Sequence, residues 1–283
     1  MTLPRTDLAL ECGNETDIFR EYTLYGLKIS EQQVTQEGKR RRGRYVTVHC
    51  PLIRCLDPEE SERITDALSE ILRDFCRSAT GREVDHNTKI LVAGLGNRFI
   101  TADAVGPRTA DKIAVTGHMT GEGGVLRGFG CSSISAVHPG VLGQTGIEAV
   151  AMIRGAAEYV KPDVIIVVDA LAARDVGRLC ATVQITDTGI EPGSGIGNRR
   201  GEISRNTTGF PVVALGVPTI VDSATLVYDA LEKAGIGKED DSLEKVLSDG
   251  KFFVSMRDSD VVTDEVSSLL AASINRAFFA EGL

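Results

Sequence analysis

Residues 164–169 read Val-Ile-Ile-Val-Val-Asp, and residues 89–97 read Lys-Ile-Leu-Val-Ala-Gly-Leu-Gly-Asn. Each stretch contains an unbroken apolar run, which is typical of a buried strand in a parallel sheet with both faces covered. Helical patterns at 106–115 and 146–160 lie between the two stretches, and Pro162 ends the second helix. Strands separated by helices predict the α/β class, with a mostly parallel central sheet flanked by helices.

Further elements are predicted on both sides of this alternation. Asp57-Pro58 followed by two glutamates predicts a helix N-terminus, because aspartate caps the helix and proline fits its first turn. That helix is expected to run to about Arg77. We expect one domain over 1–283, in which a smaller N-terminal extension, 8–88, packs on a core of 89–283. Other strands are predicted at 44–53, 132–137, 179–185 and 211–215, and other helices at 221–234 and 261–279.

Composition limits the classes of function. The 283 residues carry a formal net charge of −9, which disfavours nucleic acid and anionic membranes as partners. Tryptophan is absent and aromatic residues make up 5%, so a stacking platform for bases is not expected. No apolar run reaches the length of a membrane span, and the first ten residues lack a signal-peptide core. These features favour a cytoplasmic location.

Two local features have simple interpretations. The six cysteines form no Cys-x-x-Cys pair, so we expect reduced, partly buried thiols rather than a zinc finger. Residues 39–44, Lys-Arg-Arg-Arg-Gly-Arg, form a basic run in an acidic chain. We expect this run to be a solvated loop that is open to proteolytic nicking, rather than a nucleic-acid contact.

The strongest candidates for chemistry are two aspartates that follow predicted strands. Asp103 lies shortly after the strand that begins at Lys89, and Asp169 ends the strand at 164–168. Sites in open α/β sheets form outside the carboxyl ends of strands, and two carboxylates that meet there can act as acid and base. Each aspartate alone could equally cap a helix or a turn, but two at one sheet edge favour a functional role.

Glycine-rich loops near these aspartates are candidate site loops. A dinucleotide fingerprint is disfavoured, because Phe99 stands where its third glycine is required. His138 lacks a second histidine at helical spacing, which disfavours a metal site, and no Gly-x-Ser-x-Gly elbow predicts a serine nucleophile. The loops could hold an oxyanion or a peptide strand, or could simply form turns and caps. The candidate site-loop residues are Gly94, Gly96, Asn97, His138, Gly143, Gln144, Gly193 and Gly195.

Several long motifs in one order resemble a known family. They are 5–11 (Arg-Thr-Asp-Leu-Ala-Leu-Glu), 94–107 (from Gly-Leu-Gly-Asn to Asp-Ala-Val-Gly-Pro), 139–148 (Pro-Gly-Val-Leu-Gly-Gln-Thr-Gly-Ile-Glu), 168–174 (Val-Asp-Ala-Leu-Ala-Ala-Arg), 192–198 (Pro-Gly-Ser-Gly-Ile-Gly-Asn) and 216–222 (Gly-Val-Pro-Thr-Ile-Val-Asp). Together they resemble the germination proteases of spore-forming bacteria, which are atypical aspartic endopeptidases. The similarity covers nearly the whole chain.

The resemblance implies a specific set of properties. The catalytic aspartates would be Asp103 and Asp169, with no cofactor and no metal. The substrates would be small acid-soluble spore proteins, degraded in the spore core during germination. The chain would be a self-processing zymogen that loses a propeptide, 1–7, by cleavage between Asp7 and Leu8. The resemblance also implies a homotetramer and a phosphorylase/hydrolase-like fold similar to hydrogenase-maturation endopeptidases.

Two other functions remain open from the sequence. A metal-dependent maturation endopeptidase of the same fold would hold its metal with two carboxylates and a histidine. A non-catalytic α/β module would bind a nucleotide or a peptide with the glycine loops, and its acids would be structural. Activity that survives strong chelation would exclude the metal-dependent endopeptidase. Thermal stabilisation by a nucleotide, without peptidase activity, would favour the binding module.

Overall fold

The computed structural model describes residues 5–12, 17–36, 40–119, 131–193, 201–235 and 252–279. The strands in these ranges are β1 (Ile18–Leu24), β2 (Leu27–Val34), β3 (Gly43–His49), β4 (Lys89–Gly94), β5 (Ser133–Val137), β6 (Val164–Ala173), β7 (Thr182–Thr186), β8 (Val212–Asp222) and β9 (Phe253–Ser255). The helices are α1 (Pro58–Thr80), α2 (Val105–Asp111), α3 (Leu142–Thr145), α4 (Ala149–Val160), α5 (Arg205–Thr208), α6 (Ser223–Lys233) and α7 (Ser259–Phe278).

The described strands form one mixed sheet in the order β1-β2-β3-β7-β8-β6-β4-β5, with β9 paired to the end of β8. Strands β5, β4, β6 and β8 are parallel, whereas the pairs that involve β1, β2, β3, β7 and β9 are antiparallel. The α/β class is confirmed, but the parallel half is smaller than expected. A tight turn at Tyr25 and Gly26, both with positive φ, joins β1 to β2 and makes them antiparallel neighbours.

Two helical layers cover the central strands. Along β4, Ile90 and Val92 face one core with α1 and α7, while Leu91 and Ala93 face a second core with α4. Strand β6 alternates in the same way, so both strands are apolar on both faces. This double coverage explains the unbroken apolar runs in the sequence. No helix of the described ranges is both long and apolar enough to cross a membrane.

Several element boundaries differ from the predicted ones. Helix α1 begins with the expected Asp57 cap and Pro58, and its capping box with Glu60 is complete. Strand β6 continues past Val168 to Ala173, because its backbone stays paired with β8 beyond the apolar run. Helix α2 ends at Asp111, short of the expected range. The division into 8–88 and 89–283 remains a prediction, although β3 joins the same sheet through β7.

Candidate active site

Asp169 lies within β6, one residue beyond the apolar run. Asp169 is only 4% exposed, and its Oδ1 accepts a hydrogen bond from the backbone N–H of Ala170 at 2.9 Å. Its register partner on β8 is Gly216. The position on the α4 side of the sheet follows from the alternation of β6, in which Ile165 and Val167 face that core. The strand therefore places a carboxyl group in a low-dielectric environment.

Asp103 reaches the same edge from the loop after β4. Its Oδ2 accepts the backbone N–H of Asn97 at 2.7 Å. Gly96 has φ +113°, and a Cβ there would lie 2.0 Å from the backbone oxygen of Asp103, so only glycine allows this approach. The buried hydroxyl of Thr219 on β8 donates to the oxygen of Ala102 at 2.6 Å and fixes the turn from the other side.

A third aspartate joins the pair. The backbone N–H of Asp7 donates to Ala172 at 2.8 Å, and the N–H of Ala172 donates to Asp7 Oδ2 at 2.9 Å. Burial raises the pKa of Asp169 well above its ordinary value, and the charges of Asp103 and Asp7 raise it further. The hydrogen bond from Ala170 only partly offsets these effects. The sequence motif marked Asp7 only as a processing residue, so its place beside Asp169 is new.

These three aspartates line one cavity of about 350 Å³. Four predicted loop residues line it as well, namely Gly96, Asn97, Gly143 and Gly193. Gln144 supports the wall from behind, because its Nε2 donates to Asn97 Oδ1 at 2.6 Å. The carboxyl groups and backbone amides of this cavity could bind a peptide and move protons.

Other predicted site residues lie elsewhere. Gly94 is buried where β4 meets α2, and a Cβ there would lie 2.1 Å from the oxygen of Gly106, so its role is close packing. His138 is partly exposed, with Nε2 3.5 Å from Asp111 Oδ1, and it does not line the cavity within the described ranges. Gly195 lies outside the described residues. Within the described ranges, Gly94 and His138 do not line this cavity, and their assignment to the site remains a prediction.

Three arginines of the basic run, Arg40, Arg41 and Arg44, are paired rather than solvated as expected, whereas Arg42 is exposed and Lys39 lies outside the described residues. Arg40 donates to the backbone oxygens of 6–8, Arg41 binds Glu191 and Glu202, and Arg44 binds acidic side chains of β2 and α1. For these three arginines the expectation was wrong, because their partners are distant in sequence and no local pattern shows them. The guanidinium group of Arg40 therefore binds directly to the backbone of the N-terminal segment, residues 6–11.

Comparison with known proteins agrees with the motifs. A family model described as germination protease matches residues 12–242. The chain belongs to the germination protease family. The germination protease of Priestia megaterium is 39% identical over 249 residues, which are 81% of this chain and 66% of that protein. The germination protease of Clostridium acetobutylicum is 39% identical over 294 residues, which are 97% of this chain and 86% of that protein.

The matches cover only part of the relatives and include some but not all of the candidate site residues. The chain spans about two thirds of the length of the first of these germination proteases. The region matched by the germination protease family includes Asp103 and Asp169, whereas Asp7 and Leu8 precede it. Among solved structures, a NiFe hydrogenase maturation protease from Thermococcus kodakarensis is similar with a TM-score of 0.36 and 16% identity. That likeness covers 72% of this chain and 98% of the other.

Proposed function

We propose that this member of the germination protease family is an endopeptidase in which Asp103 and Asp169 activate a water molecule. The observation that carries the proposal is the burial of Asp169 beside Asp103 in one cavity, with the pKa of Asp169 raised. Two nearby carboxyl groups with different surroundings can share one proton, and so supply both a base and an acid for hydrolysis.

The surroundings of the two aspartates favour a division of roles. Asp169 is buried and its raised pKa favours the protonated form, which can donate to the carbonyl oxygen or to the leaving amide. Asp103 is less buried and accepts the N–H of Asn97, a contact that suits a carboxylate acting as the base. The base takes a proton from water, the water oxygen attacks the peptide carbon, and the carbon–nitrogen bond then breaks.

The family relationship supports the finer parts of the proposal. Small acid-soluble spore proteins would be the substrates, in the spore core. The chain would be a zymogen that cleaves its own Asp7–Leu8 bond and would assemble as a homotetramer. The position of Asp7 in the cavity of Asp103 and Asp169 is the structural support for self-processing.

The test is a peptide-cleavage assay on a small acid-soluble spore protein with Asp103→Asn and Asp169→Asn. Each variant should lose roughly 100- to 10,000-fold in rate, the range supplied by general acid–base groups. The control is Asp111→Asn, because Asp111 is a surface aspartate that pairs with Arg98 and does not line the cavity. Circular dichroism should show an unchanged fold. Unchanged cleavage in either site variant would contradict the assignment.

Chelation in the same assay tests the metal-dependent alternative, and a thermal-shift measurement tests the binding module. No group of His, Cys, Asp and Glu side chains within the described ranges is arranged to hold a metal ion. We expect activity to survive strong chelation, whereas loss of activity restored by a divalent cation would favour a metal-dependent endopeptidase. A nucleotide that raises the melting temperature of a chain without peptidase activity would favour the binding module.

A further inference from the structure

We propose that Arg40 and Gln184 form an oxyanion site for the carbonyl group of Asp7, and so promote cleavage of the Asp7–Leu8 bond. This inference rests on the proposed function, since it names residues that serve the self-processing reaction. Neither residue belongs to the motifs that carry the resemblance to the family.

The carbonyl oxygen of Asp7 receives two side-chain donors. Arg40 Nη1 donates to it at 2.6 Å, and Gln184 Nε2 donates to it at 3.1 Å. Arg40 Nη2 also donates to the oxygen of Leu8 at 2.5 Å, and Gln184 Oε1 accepts the N–H of Ala9 at 2.7 Å. The two side chains therefore hold the backbone on both sides of the Asp7–Leu8 bond.

The sheet places these donors on the same face as the buried acid. Asp169 on β6 pairs with Gly216 on β8, and Gly216 pairs with Gln184 on β7. Paired residues of neighbouring strands point to one face, so Asp169 and Gln184 share a face about 10 Å apart across two strand spacings. Gly216 presents no side chain between them, and a Cβ there would lie 2.6 Å from the side chain of Leu171.

Asp7 spans this gap. Its N–H pairs with Ala172 on β6 while its carbonyl oxygen pairs with Gln184 on β7. It lines two cavities, the one that contains Asp103 and Asp169 and a second of about 230 Å³ that contains Arg40 and Gln184. Asp7 therefore borders both the cavity of the acid pair and the cavity of the two donors, and its carbonyl oxygen is held by the donors.

The chemistry of hydrolysis gives this contact a role. As the water oxygen bonds to the carbonyl carbon of Asp7, the electron pair of the C=O bond moves onto the oxygen. Donors at about 2.7–3.1 Å stabilise that charge, and a guanidinium group adds a full positive charge. When the carbon–nitrogen bond breaks, the Leu8 nitrogen takes the proton of the acid, which leaves a carboxylate on Asp7 and an amine on Leu8.

Arg40 and Gln184 could simply anchor residues 6–11 instead of stabilising charge on the Asp7 carbonyl oxygen. The two roles can be separated, because other contacts also anchor these residues. The side chain of Leu8 is fully buried. The carboxylate of Glu11 accepts the backbone N–H groups of Arg174 at 2.7 Å and Asp175 at 3.1 Å. A variant at Glu11 therefore weakens docking without touching the Asp7 carbonyl, which provides a control for loss of docking alone.

The experiment measures self-cleavage of the full chain by intact-mass spectrometry, with Arg40→Met and Gln184→Glu as site variants. Each should slow the appearance of the chain that starts at Leu8 by roughly 100- to 1,000-fold, the usual effect of losing one oxyanion donor. The Gln184→Glu substitution keeps an acceptor for the N–H of Ala9, and in its ionised form it replaces the donor with a negative charge beside the Asp7 carbonyl oxygen. Arg41→Met is the matched control, because Arg41 binds Glu191 and Glu202 instead of the segment.

A pH series, combined with hydrogen exchange on the same samples, separates loss of the donor from loss of docking. The carboxyl introduced by Gln184→Glu regains a donor when it is protonated, so its rate relative to wild type should rise as the pH falls. Hydrogen exchange of residues 6–11 reports docking in the same samples, with Glu11→Gln as the reference for weakened docking. Slow cleavage with docking retained supports the oxyanion site.

Three results would overturn the inference. The first is self-cleavage of Arg40→Met and of Gln184→Glu at the wild-type rate. The second is slowing that follows loss of docking, as in Glu11→Gln, without recovery at low pH. The third is a wild-type chain that cleaves a spore protein but never itself, which removes self-processing and leaves the peptidase intact. If the wild-type chain cleaves neither itself nor a spore protein, the proposed function fails as well.

Discussion

At the scale of single residues, Asp169 is expected to reduce the stability of the fold. Its folded pKa is raised by burial and by Asp103 and Asp7, so the native state holds a proton that the unfolded chain releases above about pH 4. The free energy of unfolding is therefore highest below the pKa of Asp169 in the unfolded chain. It falls as the pH rises through the pKa of Asp169 in the folded chain. Asp169→Asn, which carries no charge, should remove this loss.

Calorimetry from pH 3.5 to pH 8 checks that expectation. The melting temperature of Asp169→Asn should exceed that of wild type near neutral pH, and the difference should shrink towards acid pH. Asp111→Asn serves as the control, since Asp111 is exposed on the surface. A wild-type chain that is more stable than Asp169→Asn at neutral pH would mean that the carboxylate is stabilised by a contact stronger than its desolvation.

The residues of the site differ in how far sequence predicts them. Asp103 and Asp169 follow apolar strands, so a pattern search finds them. Gly96 is found too, as part of a tight exit turn. Arg40 and Gln184 are not found, because they contact Asp7 across 33 and 177 positions of the chain, and no local pattern carries such a contact.

At the scale of elements, the start of α1 offers a clean test of local sequence. Asp57 accepts the N–H of Glu60 at 2.8 Å, and Glu60 accepts the N–H of Asp57 at 3.2 Å. Asp57→Ala should lower the free energy of unfolding by about 1 kcal/mol, the usual cost of losing an N-cap. Urea unfolding measures it, with Glu59→Ala in the same turn as the control. An equal loss in both variants would assign the effect to charge rather than to capping.

Elements governed by local contacts were predicted best. Helix α1 has a cap, a proline and a regular apolar face, and it forms at the expected position. Strands β1 and β2 were missed, since β1 is an edge strand that is exposed along most of its length and has no clear alternation. The register of β1 depends on the turn at Tyr25 and Gly26 and on pairing with β2.

At the scale of the whole molecule, the N-terminal segment is attached to the fold rather than central to it. Leu8 packs in a small cluster with Leu171, Leu179 and Val221, whereas Leu72 lies in the large core between α1, α7 and the sheet. Leu72→Ala should cost about 2–5 kcal/mol of global stability. Leu8→Ala should cost less, because the segment can detach while the rest of the fold persists.

Hydrogen exchange with urea unfolding measures both effects. Leu8→Ala should speed exchange of residues 6–11 and change the unfolding midpoint less than Leu72→Ala does. An equal fall in midpoint for both variants would show that the segment unfolds only with the whole domain. Such a result would place residues 6–11 in the same cooperative unit as the core.

The sequence by itself determined the α/β class, the two buried strands and the two aspartates that follow their apolar runs, because these depend on local hydrophobic patterns. The family motifs added the expected role of Asp103 and Asp169. Only the tertiary structure decided that Asp7 joins them and that Arg40 and Gln184 hold its carbonyl group. The reason is physical, since strand pairing brings Asp169, Gly216 and Gln184 into one row and no local pattern specifies that register.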